Sequence, residues 1–491
     1  MSKEKENTEL KSQDIVSFFK DSTIFLTGVT GFLGHVLLSK LLNSCPDIRK
    51  IYILIREKKN KKICDRFQEI FNAPIFDKIK TECPHYLHKV QFIKGDCLKP
   101  ILGISENDRL TLEKEVNVIF HVAATVRFDE SLREAVNINV RSTSDLLDIA
   151  KKMTALQAFV YVSTAFSFCT GRTVIEEKLY DPPVKAKNLI ALIDQLNDDS
   201  TIIDRITSSL LGSYPNTYVF TKAVAETLCD SLCNEMPVSI FRPAIVIPTA
   251  KEPVPGWINN TYGPTGVVTA AGVGLMKTLH IDKDSIANIV PCDYVINALI
   301  ASAWYTAKRW QAIKNNTSKL SALEKREIPI FNFSTTNTKK SLTWKEFING
   351  NVSLEPEFPF SLSVWAYSLT LNKYEFVNRF YILFLHLIPA FIGDRIAVFC
   401  GKKPKLWQTY QKMHKMTNVI SYFITRSWII PIDNIKKLWS ILSERDKQIF
   451  NFDLDNLEWS EYFKNHIIGI RLYIVKDKLE TIPYAKKKRK K

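Results

Sequence analysis

Along the first half of the chain, short apolar runs alternate with stretches of helical periodicity. The runs "TIFLTG", "IRKIYILIREKK", "KVQFIKGD", "VNVIFHVAATVRF", "LQAFVYVSTAF" and "PVSIFRPAIVI" are rich in β-branched and aromatic residues and read as strands. Between them, "FLGHVLLSKLLNSC" spaces Leu33, Val36, Leu37, Leu41 and Leu42 as one face of a helix, and "SLREAVNINVRSTSDLLDIAKK" is a second helical stretch. Alternating strand and helix predict a parallel, doubly wound α/β sheet with right-handed crossovers. Near residue 350, "NGNVSLEPEFPF" groups turn formers and prolines, which predicts a boundary there.

The first strand-to-helix turn carries Gly28, Gly31 and Gly34. In that context the spacing points to a dinucleotide. Gly28 can turn sharply, Gly31 leaves room for a pyrophosphate, and Gly34 lets the helix pack close to the strand. Thr30, Phe32 and Leu33 belong to the same cofactor-binding turn, and the helix N-terminus offers free N–H groups to phosphate. The second strand ends in Arg56, with Lys58 and Lys59 behind it. A carboxylate there would bind the ribose hydroxyls of NAD, whereas an arginine suits the 2′-phosphate of NADP; a plain basic surface is the alternative. Asp96, ending the third strand, can accept from an adenine amine, and the small Ala123 and Ala124 let a cofactor lie against the backbone.

"SYPNTYVFTKAVAETLCDSL" then puts Tyr218 and Lys222 one helical turn apart on one face. A phenol titrates near ~10, and a neighbouring ammonium is expected to bring it down toward neutrality. Such a pair can exchange a proton with a carbonyl oxygen during hydride transfer. "YVSTAF" supplies Ser163 and Thr164 at a strand end, where a hydroxyl can donate to a developing oxyanion. Side chains alternate along a strand, so one of the two faces the site; Thr164 is favoured, with Ser163 the alternative. Asn139 reads either as part of a proton relay or as helix packing.

Together these elements resemble the short-chain dehydrogenase/reductase superfamily in its extended form. "IVSFFKDSTIFLTGVTGFLGHVLLSKLLNSCPDIRKIYILIR", "YVSTAF", "YVFTKAVAE", "SIFRPAIV", "EPVPGWINNTYGPTGV" and "IVPCDYVINALI" are similar to the alcohol-forming fatty acyl-CoA reductases. So are "HLIPAFIGDRIAVFCGKKPKLWQTYQKMHK", "DKQIFNFDLDNLEWSEYF" and "GIRLYIVKD", which look like that family's C-terminal domain. The resemblance implies NADPH-dependent reduction of a long-chain acyl-CoA to a primary alcohol through an aldehyde, without a metal. It implies Tyr218, Lys222 and Thr164 or Ser163 as the catalytic groups, and Lys222 as holding Tyr218 and the nicotinamide ribose. It also implies a Rossmann-type reductase domain with substrate-binding insertions over residues 21–350, and a mainly helical C-terminal domain over 351–478. A polar segment, 1–20, and a basic tail, 479–491, flank them. His35 and Cys292 depart from the family's usual lysine and valine. Many members carry a hydrophobic segment after the C-terminal domain, where this chain reads "TIPYAKKKRKK". The residues alone would also admit a reductase or epimerase acting on a sterol or nucleotide sugar, or a protein that only binds NADPH.

Composition narrows this little. At 491 residues and 46% hydrophobic the chain exceeds one core. Nine cysteines form no CxxC pair, so neither zinc nor a disulfide framework is expected, and Cys229 with Cys233 reads as packing on one helix face. The polar start has no signal-peptide pattern, which places the expected protein in the cytosol or facing it. Of the net charge of +16, six sit in the final "KKKRKK". That tail reads as a solvated end, an anchor to anionic lipid, an endoplasmic-reticulum retention signal or a nuclear import signal. No nucleic-acid-binding pattern is present. No run reaches the ~18–20 uninterrupted apolar residues of a span. "FYILFLHLIPAFIG", broken by His386 and Pro389, reads as core, as an acyl-chain tunnel or as a bilayer-docking segment. The expected location is the cytosolic side of the endoplasmic reticulum membrane, or else the peroxisomal surface.

Overall fold

A computed structural model describes residues 14–58, 61–196, 200–315 and 327–489. Residues 1–13 of the polar segment, Lys59 and the last two lysines of the tail lie outside the described residues.

Strands β1 (Thr23–Thr27), β2 (Lys50–Ile55), β3 (Val90–Lys94), β4 (Val118–His121), β5 (Ala158–Val162), β6 (Val238–Pro243) and β7 (Ile330–Phe333) form one sheet. Their spatial order is β7-β6-β5-β4-β1-β2-β3, and every pair is parallel. This is the doubly wound sheet predicted from the alternation, with a seventh strand added at one edge. β1, β4, β5, β6 and β7 are buried throughout, which is why they read as unbroken apolar runs. Strand order reverses between β1 and β4, so the crevice at their C-terminal ends is the switch point where such sheets bind ligands. Helix α1 (Phe32–Ser44) leaves the β1 turn and is buried from Gly34 to Leu42. α2 (Ile63–Phe71) follows β2, and α3 (Thr217–Asp230) precedes β6.

The chain divides into two compact units, each discontinuous in sequence. The first takes the described residues up to Val246, with Cys292–Ser334 and Ile430–Asp453. The second takes Ile247–Pro291, Thr335–Ile429 and the described residues from Leu454. The sequence reading drew one boundary near residue 350; here the chain passes between units several times. The return of 430–453 to the first unit has a hydrogen-bonded cause. Asn332 on β7 donates Nδ2 to the Pro431 carbonyl at 3.1 Å, and Asn434 donates to the Ile330 carbonyl at 2.8 Å. Ile15–Phe19 of the polar segment is a short helix with Ile15, Phe18 and Phe19 buried.

The second unit is mainly helical and includes a parallel strand pair, Thr278–His280 beside Thr370–Asn372. A buried ion pair, Arg471 to Asp477 at 3.0 Å, ties its C-terminal part, and Asp477 also accepts from the Ser361 amide at 2.7 Å. Helix α4 (Glu375–Phe399) runs 25 residues without a break, and among the described residues it is the one helix long and apolar enough to cross a membrane. The sequence gives a fourteen-residue segment, 380–393, broken by His386 and Pro389, whereas the helix continues through both. A wider π-type turn at Leu383–Leu387 precedes Pro389, which then sits in a first-turn position, where its missing N–H costs least. α5 (Leu406–Ile424) follows. The described part of the tail is not a free end: it forms α6 (Ile482–Arg489), with Lys488 donating to the Ser361 and Ser363 carbonyls at 3.0 Å and Arg489 pairing with Glu355 at 2.8 Å.

Candidate functional site

At the switch point the β1–α1 turn closes by a Gly31 N–H to Gly28 carbonyl bond of 2.9 Å. Gly28 has φ +77°, and a Cβ there would stand 2.6 Å from the Ala123 nitrogen. A Cβ on Gly34 would stand 2.3 Å from the Gly28 carbonyl oxygen. Both positions therefore exclude any side chain. Gly31 differs: it is exposed, and a Cβ would meet only the Gly28 oxygen, at 3.2 Å. No side chain caps α1, which begins beside exposed Thr30 and half-buried Phe32 and Leu33. An anion is suited to that end of a helix. His35, the departure from the family pattern, shares a 2.8 Å bond with the Gly31 carbonyl.

Arg56 is exposed just past β2, and Arg66 on α2 donates to its carbonyl. Arg66 is buried; desolvation first and the Arg56 charge second lower its affinity for its own proton. The Arg56 charge thus reaches the Arg66 guanidinium, and a pair of guanidiniums suits an anion. Asp96 is half-buried, and its Oδ1 accepts from the Leu98 amide at 3.1 Å. The Ala123 amide donates to Thr27 Oγ1 at 3.2 Å, which fixes the β4 end against β1.

Beyond β5, the Thr164 hydroxyl lies near enough to Tyr218 to act on its phenol. Tyr218 is half-buried with its ring 5.6 Å from that of Phe128. Lys222, fully buried on α3, donates Nζ to the Val162 carbonyl at 2.6 Å and lies 4.6 Å over the Tyr161 ring. Burial pushes the Tyr218 phenol up to about 12, opposed by the neighbouring Thr164 hydroxyl. Burial also brings the Lys222 ammonium down to about 7, opposed chiefly by the Glu226 carboxylate. The expected lowering of the phenol by Lys222 is thus not what forms: desolvation raises it, and the ammonium is turned to a backbone carbonyl. A phenol that keeps its proton at neutral pH is the form a carbonyl reduction needs.

The structure separates the two hydroxyls left open by the sequence. Ser163 donates to Glu226, so its proton is committed away from Tyr218. Glu226 also accepts from Ser167 at 2.9 Å and from Arg242 Nε at 3.0 Å, with both charged side chains fully buried. Asn139 sits in a π-type turn at Asn137–Arg141; its amide accepts from the Thr125 N–H at 3.0 Å and donates to Thr221 Oγ1 at 2.9 Å. Those bonds fit the packing reading. Glu226, Arg242 and Arg66 were missed by the sequence reading. Glu226 stands one turn beyond Lys222 on the same face, and Arg242 is a lone cation inside an apolar strand; such residues need buried partners.

Two stretches of the chain, residues 26–299 and 385–477, match protein families that are both described as "Male sterility protein". Among curated proteins, the chain is 38% identical over 471 residues to "Fatty acyl-CoA reductase wat" of Drosophila melanogaster, covering 96% of this chain and 87% of that one. It is 35% identical over 473 residues to "Fatty acyl-CoA reductase 1" of Mus musculus, covering 96% and 88%. Among solved structures, the fold is similar to the terminal R domain of the myxalamid PKS-NRPS pathway, with TM-score 0.60, 17% identity and 93% and 92% of the two chains covered. It is also similar to the reductase (R) domain of a nonribosomal peptide synthetase from Mycobacterium tuberculosis, with TM-score 0.55, 16% identity and 95% of each chain covered.

Proposed function

This chain belongs to the fatty acyl-CoA reductase family and is an NAD(P)-binding oxidoreductase, and from that premise we propose that NADPH is its cofactor and that it takes a long-chain acyl-CoA to the primary alcohol. Each bound NADPH would supply one hydride, so two are used in succession, the first for the thioester carbon and the second for the aldehyde left after CoA thiolate departs. The protein's part is binding, orientation and proton supply. The amides at the N-terminus of α1 hold the pyrophosphate over Gly31, Asp96 meets the adenine, and Ala123 lies against the cofactor. Arg56, with Arg66 behind it, holds the 2′-phosphate. The observation that carries the catalytic reading is the nearness of the Thr164 hydroxyl to the Tyr218 phenol, one helical turn from a buried Lys222. These two hydroxyls donate to the thioester oxygen as it gains charge, and Tyr218 releases its proton to the alkoxide of the second reduction. Lys222 orients Tyr218 and the nicotinamide ribose. Ser163, bound to Glu226, supports the segment that carries Thr164. The exposed α4 supports membrane association, which we assign to the cytosolic face of the endoplasmic reticulum, with the peroxisomal surface as the other compartment.

Purified protein given NADPH and palmitoyl-CoA is expected to release free thiol and hexadecanol. NADPH oxidation seen only with sterol ketones or nucleotide sugars would overturn the substrate assignment. Arg56→Glu is expected to weaken NADPH by roughly tenfold to a hundredfold, the range for losing a charged hydrogen bond, and to leave NADH little changed. Equal losses for both cofactors, measured by fluorescence titration, would remove the phosphate role.

A further inference from the structure

Helix α4 exposes a continuous apolar stripe. Phe376, Phe380, Phe384, Ile388, Ile392 and Ile396 follow one another at four-residue steps with exposed Phe391 beside them, and Phe399 ends the stripe 92% exposed. Soluble surfaces seldom leave so large an apolar patch open. The opposite face is held by polar contacts along the length of the helix. Asn378 Oδ1 accepts from Thr278 Oγ1 at 2.8 Å, and His386 Nε2 accepts from the Lys277 amide at 2.9 Å. The His386 ring stacks on Tyr410 of α5 at 4.8 Å, and Ala390 is fully buried one turn on.

By length alone α4 could span a bilayer, but these contacts give it a different attitude. Spanning would take the Thr278 strand and α5 into the hydrocarbon with it, and α5 carries Gln408, Lys412, His414, Lys415 and Asn418. A helix bound along one side and apolar along the other is built to lie in the plane of an interface. The charges around its C-terminal end choose the surface. Asp394 is occupied by the amides of Lys405, Leu406 and Trp407 at 2.9–3.0 Å. Lys402, Lys403 and Lys405 then stand exposed beside Phe399 and Trp407. Lysines bordering an aromatic, apolar face suit anionic phospholipid headgroups.

We propose that α4 docks this protein on an anionic phospholipid bilayer as an in-plane helix, with both ends on the same side and the Phe376–Phe399 stripe among the acyl chains. The proposal rests on the acyl-CoA reading only for its purpose, since delivery of a long-chain thioester gains from a bilayer. Its test needs no turnover, so failure of one leaves the other standing.

The full chain is expected to float with phosphatidylcholine–phosphatidylserine vesicles and markedly less with phosphatidylcholine alone. Phe380→Ser, Phe384→Ser and Phe391→Ser combined should abolish flotation while NADPH binding, read as the folding control, persists. Lys402→Glu with Lys403→Glu should erase the preference for phosphatidylserine. For attitude, a protein with Cys64→Ser and Cys83→Ser keeps Cys400 as its exposed thiol among the described residues. A second carries those changes with Cys400→Ser and Glu375→Cys. On sealed vesicles an impermeant maleimide should label both from outside. Protection of either end would mean a spanning helix and overturn the proposal. So would flotation that survives the triple serine variant, or a triple variant whose only change is loss of self-association.

Discussion

Tyr218→Phe will bind NADPH as the wild type does and lose ~10²- to 10⁴-fold in kcat, the range expected for removal of a positioned general acid. The change deletes one hydroxyl and keeps the ring that packs 5.6 Å from Phe128, so the site's shape survives. Thr164 then stands alone as the nearby hydroxyl, so oxyanion stabilisation falls as well. Because burial holds the phenol near 12, its proton is present throughout the neutral range. The wild-type rate should therefore show no alkaline loss from Tyr218 below that value. Single-turnover absorbance of NADPH with palmitoyl-CoA measures the step, and cofactor fluorescence measures binding. Full turnover by the phenylalanine variant would remove Tyr218 from the chemistry, and a matching loss of NADPH affinity would make it a cofactor-packing residue instead.

The elements that were legible in the sequence are those whose physics is local. β1, β4, β5 and β6 are apolar because both faces are covered, and Gly28 and Gly34 announce a turn that side chains would fill, with Gly31 open between them. The Tyr218–Lys222 spacing likewise needs only helical geometry. What depended on distant contacts was not legible. Whether Ser163 or Thr164 faces Tyr218 is decided by Glu226, more than sixty residues away in sequence. The direction of the Tyr218 shift is decided by burial, which no spacing encodes. The break assigned at Pro389 dissolves because a π-type turn precedes it, and the return of 430–453 to the first unit depends on Asn332 and Asn434 finding backbone carbonyls.

Glu226 tests whether the buried charges beneath the site do more than pack. Its carboxylate gathers Arg242, Ser163 and Ser167, while Arg242 spends further N–H groups on the Glu176 and Lys178 carbonyls, each at 3.1 Å. Glu226→Gln leaves the guanidinium buried without its counter-charge, at a cost of about 3–5 kcal/mol. For a unit of this size that lowers Tm by roughly ten degrees. Adding Arg242→Met removes the stranded cation and should recover most of that stability, so the two changes together cost far less than their sum. Electrostatics gives the second readout. The Lys222 cation, depressed by burial to about 7, is present below that pH and lost above it, and Glu226 is the chief group holding it up. Without that carboxylate the loss moves to lower pH, so the alkaline limb of kcat/KM shifts downward. A merely structural Glu226 would lower Tm and leave the limb in place. The double variant separates the two roles: its stability returns, but its limb stays displaced, because the carboxylate that favoured the Lys222 cation is still missing.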